Sequence, residues 1–142
     1  LFLYDFICHN RPQFATQYFL RFYNRPSNDT IVLPMMSQFA ETAEYYSTAF
    51  HEMVHSTGHS NRLNRLTQTA HFGNEEYSKE ELVAEIGASA LVNHAGLETE
   101  KSFRNNTAYV QSWLNVLKND KRFIVSASGK AEKAVELILA GA

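Results

Sequence analysis

The chain has 142 residues, a usual length for one domain with a single hydrophobic core. Apolar residues make up 44%, charged residues 20% and aromatic residues 13%, which excludes a disordered chain, a collagen-like chain and a coiled-coil rod. The formal net charge of −2 excludes the basic footprint over the whole domain that is typical of nucleic-acid-binding proteins.

The N-terminal part of the chain predicts a small sheet. A turn cluster rich in Asn and Pro at 24–29 precedes an apolar, β-branched run at 30–33, which predicts a short strand. Because Pro34 follows and cannot donate to a sheet ladder, this strand is expected at the edge of its sheet. An exposed edge could pair with an extended peptide, although ordinary sheet pairing is the simpler interpretation.

The middle of the chain predicts two helices. Residues 41–56 carry apolar side chains at helical spacing, and Gly58 is expected to end this first helix. A second helix is predicted over 78–93. Ser78 and Glu81 form a capping-box pattern, which indicates that the second helix begins at Ser78.

The C-terminal part of the chain predicts two further helices. Residues 106–118 and 128–140 each carry one apolar face, and Tyr109 and Trp113 are interpreted as core residues of the third helix. The whole chain is therefore expected to form a single α+β domain over 1–142, mostly helical with a small N-terminal sheet.

Cysteine usage and hydropathy bear on where the protein acts. Cys8 is the only cysteine, so no disulfide within the chain demands an oxidising compartment. No apolar run approaches the roughly 18 residues that span a bilayer. The chain starts without Met, and it is interpreted as a piece of a longer, cytoplasmic protein that has no membrane partner.

Residues 51–55 read HEMVH, the pattern HExxH, inside the first predicted helix. The spacing places His51 and His55 on one face, one turn apart, where both imidazoles can reach one tetrahedral zinc ion. Glu52 lies beside them and can accept a proton from a metal-bound water. The alternative is a helix that carries two histidines and a glutamate on an ordinary surface.

A catalytic zinc site needs a third protein ligand and leaves its fourth position to water. His59 continues the histidine face, but Gly58 is expected to end the helix first, which places His59 at the rim. Glu81 and Glu85 lie at i and i+4 on the second helix, so one could bind zinc while the other accepts the outer N–H of a ligand histidine. Glu81 could instead cap its own helix, and Glu85 could face solvent.

Other residues near the motif have weaker functional interpretations. His59, His71 and Tyr77 are candidates for stabilising an oxyanion by their position, although each is more often an ordinary loop residue. A basic patch could be formed by Arg62 and Arg65 together with Arg104, Lys121 and Arg122, but scattered charges of this number are usually part of a solvated surface.

Four runs of the chain, in order, carry a resemblance to a known family. They are YNRPSNDTIVLPMMSQF, AEYYSTAFHEMVHSTGHSNRLNRL, HFGNEEYSKEELVAEIGASALVNHAG and NTAYVQSWLNVLKNDKRFIVSASGKAEKAVELIL. The chain resembles, over about 23–139, the zincin-like metallopeptidase domain of ArdC-type antirestriction and polyvalent proteins. Related zincins carry a glutamate helix of the form E-x-x-[AS]-[DEN], in which the first residue is the ligand and the last orients a ligand.

The resemblance implies a Zn²⁺ site and a catalytic role. His51, His55 and Glu81 would be the metal ligands, Glu85 would orient a ligand from outside, and Glu52 would be the general base of a zinc metallopeptidase.

The resemblance also implies partners. A protein or peptide would be the substrate, and DNA would be bound through an N-terminal domain that this chain lacks, in an antirestriction protein of a mobile element. The alternative is a non-catalytic zinc domain that acts by binding DNA or a host protein. The sequence leaves the oligomeric state open.

Overall fold

A computed structural model describes residues 13–17, 23–25, 29–66, 75–118 and 120–140. These residues form a small sheet followed by four helices, in agreement with the predicted α+β fold. A short 3-10 turn, Met36–Gln38, joins the sheet to the first helix. The elements are β1 (Gln13–Gln17), β2 (Tyr23–Arg25), β3 (Thr30–Pro34), α1 (Thr42–Thr57), α2 (Glu75–His94), α3 (Glu100–Val116) and α4 (Lys121–Ala140).

The strand β3 lies in the centre of the sheet, so the prediction of an edge strand is wrong. β1 pairs with β3 in parallel, and β2 pairs with its other side in antiparallel orientation. Ile31 to Pro34 are all buried, and an uninterrupted apolar run of this kind is typical of a strand covered on both faces. Pro34 is tolerated because it is the last residue of the strand. With both edges paired, β3 offers no free side to a peptide.

The helix α1 follows its prediction closely, and Gly58 ends it. The reason for glycine is a close approach rather than a left-handed backbone, since φ is −75°. A Cβ at Gly58 would lie 2.7 Å from Cγ of Leu66 and 3.1 Å from Cγ of Arg65. The chain therefore turns back tightly over the end of α1.

The helix α2 already includes residues 75–77, so Ser78 is not its N-cap and the predicted capping box is wrong. Ser78 is buried within the helix. Both C-terminal helices also begin earlier than predicted, α3 at Glu100 and α4 at Lys121. The early turns of α3 are largely exposed and carry no apolar stripe, which is why periodicity could not locate its start.

The core is organised around α2, which packs against α1, α3 and α4. Leu82 and Leu91 of α2 are fully buried, as are Phe50 and Met53 of α1. No helix in the part of the chain that the structure describes is long and apolar enough to cross a membrane.

Candidate metal centre

His51 and His55 project from the same face of α1, as the HExxH spacing predicts. Their Nε2 atoms lie 3.0 Å apart, and the ring planes are nearly perpendicular. Both side chains are mostly shielded from solvent, with 17% and 12% exposed. Two imidazole nitrogens thus point to one location at the surface between α1 and α2.

Glu81 of α2 brings a carboxylate to the same location. Its Oε2 lies 3.5 Å from Nε2 of His51, and its Oε1 lies 3.4 Å from Nε2 of His55. Ligand atoms at about 2.0–2.1 Å from a tetrahedral zinc ion are separated by about 3.4 Å. The two imidazole nitrogens and the Glu81 carboxylate therefore lie near the spacing of zinc ligands, with each histidine closest to a different oxygen of Glu81. These three residues form the one set of this kind within the described residues.

The outer nitrogens of the two histidines face further carboxylates of α2. Nδ1 of His51 lies 3.5 Å from Oε1 of Glu85, and Nδ1 of His55 lies 3.1 Å from Oε1 of Glu80. Such contacts select the tautomer that leaves Nε2 free to bind a metal. Glu85 thus lies next to His51, and its orienting role stays a prediction. Sequence reasoning gave no role to Glu80, which faces His55.

Arg65 holds Glu80 in place from the turn after α1. Its guanidinium donates two hydrogen bonds to the Glu80 carboxylate, from Nε at 3.0 Å and from Nη2 at 2.9 Å. Arg65 also donates to Oγ1 of Thr57 at 2.6 Å and to the carbonyl oxygen of Val54. With 8% of its side chain exposed, Arg65 is a structural partner of the site.

Arg62 and Arg65 do not contribute to the suggested basic patch, because neither is at the surface. Arg62 donates to the Asp29 carboxylate and, at 2.8 Å, to the carbonyl oxygen of Ser56, and its side chain is 5% exposed. Both guanidinium groups are thus paired and buried. The sequence does not predict these ion pairs, because the carboxylate partners are 33 and 15 residues away from the arginines.

The charged groups of the centre shift one another's pKa values. Burial acts to lower the pKa of His55, but hydrogen bonds and charges from Glu80 and Glu81 outweigh it and raise the pKa to about 10. Burial acts to raise the pKa of Glu81, yet its hydrogen bonds to His51 and His55 hold that pKa well below its ordinary range. Burial raises the pKa of Glu85. A cation that binds here must displace the proton of His55.

A cleft of about 290 Å³ opens beside the three donors, between α1 and α3. Glu52 lines this cleft and is 7% exposed, so the carboxylate predicted as general base lies next to the candidate metal position. The remaining lining residues come from three helices: Ser47, Thr48, His51, Glu81, Glu85, Asn106, Tyr109 and Trp113.

The two aromatic residues of α3 that were predicted as core residues have different surroundings. Trp113 is half-buried and packs on the core, but it also lines the cleft. Tyr109 is 58% exposed, so its core assignment is wrong. One helix face carries both core and cleft residues here, and periodicity alone cannot separate them.

The three weaker candidates have different positions. Tyr77 lies beside the centre: burial, together with the charge and hydrogen bond of Glu81, raises the pKa of its phenol, which therefore stays protonated. Its ring packs edge-on against Trp113. His59 is not brought to the cleft; its Nδ1 accepts a hydrogen bond from the backbone N–H of Asn61 at 3.2 Å. His71 lies outside the described residues.

Comparison with known proteins gives one family and several similar structures. The family model described as "Zincin-like metallopeptidase" matches residues 6–130. The crystal structure of the antirestriction protein ArdC from plasmid R388, in its Mn(II)-bound form, matches with a TM-score of 0.78 and 37% sequence identity. It covers 98% of this chain and 51% of the ArdC chain. The metal-free ArdC structure matches with a TM-score of 0.73 and 38% identity, over 98% of this chain and 49% of that one.

Curated relatives are longer proteins. A protein named DNA primase TraC from Escherichia coli is 43% identical over 121 residues, which are 84% of this chain and 11% of that protein. An uncharacterised protein, y4eC, from Sinorhizobium fredii is 31% identical over 114 residues, 80% of this chain and 36% of its own length. The chain thus spans about a tenth of TraC and about a third of y4eC.

Proposed function

Because the chain belongs to the zincin-like metallopeptidase family, we propose that it is a zinc-dependent peptidase that hydrolyses peptide bonds in a protein or peptide substrate. The observation that carries this proposal is the convergence of two imidazole nitrogens and a carboxylate at mutual distances of 3.0–3.5 Å beside Glu52. A metal site that only stabilised the fold would not need Glu52, a carboxylate beside the metal donors in an open cleft.

In this proposal His51, His55 and Glu81 hold the metal, and Glu80 and Glu85 orient the two imidazoles. The ligand set of two nitrogens and one oxygen suits zinc, and it leaves one position open for water or substrate. The Mn(II) of the ArdC structure supports divalent-metal binding by a similar domain, whereas the choice of zinc rests on the ligand chemistry.

The bound metal would supply a Lewis acid that polarises the scissile carbonyl and acidifies water. Glu52 takes a proton from the attacking water while the oxygen of that water bonds to the carbonyl carbon. The same carboxyl group then gives this proton to the amine nitrogen as the C–N bond breaks. The protonated phenol of Tyr77 hydrogen-bonds to Glu81 and would help to hold this ligand in place.

The test is Glu52→Gln, which removes the base but keeps the size of the side chain. Zinc content should stay near one per chain, while cleavage of fluorescently labelled casein should fall at least about 100-fold, a typical contribution of general base catalysis. Glu132→Gln, an exposed residue of α4, is the matched control and should cleave normally. Cleavage by Glu52→Gln at the wild-type rate would refute the proposal.

The similarity to ArdC favours a biological setting for this activity. We propose that the domain belongs to a larger cytoplasmic protein of a mobile element, that it acts in antirestriction, and that DNA is bound by another part of that protein. The second candidate is a metal-binding domain without catalysis, which acts by binding DNA or a host protein. Unchanged antirestriction in cells that carry Glu52→Gln, with zinc retained, would favour this second candidate.

A further inference from the structure

Two aromatic side chains of α3 form one wall of the cleft beside the metal donors. Tyr109 and Trp113 both line the cleft, and they lie four residues apart, so they share one face of the helix. We call this pair the aromatic wall. Ser47 and Thr48 of α1 line the same cleft, one turn before His51. The aromatic wall is therefore across the cleft from the helix that carries two of the metal donors.

Trp113 connects the aromatic wall to the metal position. Its ring packs edge-on against Tyr77, with 6.0 Å between the ring centroids, and the phenol of Tyr77 hydrogen-bonds to Glu81. Tyr109 lies one turn nearer the N-terminus of α3. One helical turn rises about 5.4 Å, and one residue of an extended peptide advances about 3.3 Å. A peptide whose scissile carbonyl lies at the metal position therefore has the side chain of an adjoining residue within reach of Tyr109.

The exposure of Tyr109 indicates that its ring is available to a ligand. The residue is 58% exposed, although it shares a helix face with the half-buried Trp113. An exposed aromatic ring gains free energy when another apolar group covers it, because both surfaces leave water. Binding sites typically combine such an apolar lining with a few polar groups that fix the orientation of the ligand. In this cleft the metal donors are the polar groups, and the aromatic wall is the apolar lining.

The charges of the cleft favour an uncharged side chain against the aromatic wall. Glu52, Glu81 and Glu85 line the cleft, so an acidic side chain would be repelled. A cationic side chain would compete for carboxylates that are already engaged: Glu81 contacts both histidines, and Glu85 contacts His51. Glu52 is the proposed base, and a metal ion held by the donors would itself repel a cation. An apolar side chain meets neither obstacle.

We propose that the aromatic wall determines substrate specificity by binding a large apolar side chain, preferably an aromatic one, of a residue that adjoins the scissile bond. This inference rests on the proposed peptidase function and adds to it the substrate class, a protein or peptide that is cleaved beside an apolar residue. An aromatic side chain is preferred because paired aromatic rings attract each other beyond the burial of their surfaces.

The test measures by calorimetry how three hydroxamates bind to the zinc-loaded protein. Acetohydroxamate chelates zinc and carries no side chain. Phenylpropanohydroxamate adds a phenyl ring close to the same chelating group, and aminohexanohydroxamate adds a cationic amine on a chain of similar length. The difference in affinity between each of the longer probes and acetohydroxamate isolates the contribution of the added group.

The matched variants are Tyr109→Ala and Phe103→Ala. Phe103 is another exposed aromatic residue of α3, with 56% of its surface accessible. It precedes Tyr109 by six residues, which places it about 120° away around the helix, and it is not among the residues that line the cleft. Both variants replace an exposed aromatic residue by alanine, so they gain similar helix propensity. Tyr109→Phe keeps the ring and removes only the hydroxyl group.

We expect the wild type to bind phenylpropanohydroxamate about 10-fold more tightly than acetohydroxamate, and aminohexanohydroxamate no more tightly than acetohydroxamate. Tyr109→Ala should lose most of the preference for the phenyl ring while it binds acetohydroxamate like the wild type. Phe103→Ala and Tyr109→Phe should both keep the preference. The Tm of Tyr109→Ala should equal that of Phe103→Ala, because both side chains are exposed.

The same preference for the phenyl ring in Tyr109→Ala and Phe103→Ala overturns this inference alone, as does tighter binding of the cationic probe than of the phenyl probe. A Tm of Tyr109→Ala well below that of Phe103→Ala also overturns it, since Tyr109 would then serve the fold. A zinc-loaded wild type that binds none of the three hydroxamates refutes the open metal position, and the peptidase proposal fails with it.

Discussion

The contact between Gly87 and Val54 sets how closely the two helices that carry the metal donors approach each other. Gly87 lies on α2, two residues after Glu85, and Val54 immediately precedes His55 on α1. A Cβ at Gly87 would lie 2.8 Å from Cγ2 and 3.1 Å from Cγ1 of Val54. Ordinary carbon–carbon contacts are about 3.5–4.0 Å. Gly87→Ala should therefore push α1 and α2 apart by several tenths of an ångström.

The effect of Gly87→Ala on the free energy of unfolding has two opposing contributions. Val54 is fully buried and its β-branched side chain is stiff, so it cannot rotate away. Overpacking of this kind costs about 1–3 kcal/mol, whereas alanine in place of glycine within a helix contributes about 0.5–1 kcal/mol of stability. Gly129→Ala on α4 is the matched control because nothing lies within 4 Å of its added Cβ. The difference between the two variants isolates the overpacking cost of about 1–3 kcal/mol.

Thermal unfolding in the presence of a chelator measures this difference without a contribution from metal. A gap of about 1–3 kcal/mol corresponds to roughly 3–9 °C in Tm for a domain of this size. Zinc affinity, measured separately, should fall about 10-fold or more in Gly87→Ala only, because Glu81 moves away from both histidines. Val54→Ala combined with Gly87→Ala should restore part of both losses. Equal Tm and equal zinc affinity in Gly87→Ala and Gly129→Ala would refute the argument.

Three further predictions concern the metal centre. Glu81→Ala should lose stoichiometric zinc while Glu85→Ala retains it with reduced affinity, as measured by metal analysis after dialysis; the reverse result would exchange their roles. Arg65→Ala should lower the free energy of unfolding by about 1.5–3 kcal/mol in urea, the usual contribution of hydrogen bonds to a charged group, because the buried Glu80 carboxylate then keeps only His55 as a partner; a loss below about 1 kcal/mol would contradict this. Zinc at 100 times its Kd should add about 2.7 kcal/mol of stability, lost on chelation, and a Tm that does not respond to zinc would contradict a folded-state site.

The histidine pair is the part of the site that the sequence predicts best. Its geometry is local: a helix over 41–56 places His51 and His55 one turn apart whatever the rest of the fold does. The choice between Glu81 and Glu85 is harder, since it depends on how α2 is rotated against α1. The family resemblance favours Glu81 as the ligand, and Glu81 lies closest to both Nε2 atoms.

Features that depend on distant parts of the chain escaped prediction. Glu80 was missed because consecutive residues on a helix diverge by about 100°, and only tertiary packing shows that Glu80 faces Nδ1 of His55. The central position of β3 was missed because Pro34 was given more weight than the continuous apolar run before it. The burial of Asn106 gave no signal either, because only tertiary packing decides which polar side chain of α3 is covered.

The ion pair between Arg65 and Glu80 bears on the order in which fold and metal come together. Arg65 follows α1 and Glu80 belongs to α2, so the pair connects the end of α1 to α2 without a metal ion. The Glu80 carboxylate also sets the orientation of His55 before any ion arrives. We therefore expect the chain to fold first and to admit its metal afterwards, unlike small zinc domains that are unfolded without metal. A cell short of zinc would then keep this protein folded without metal, and the folded protein would bind the ion as soon as it is supplied.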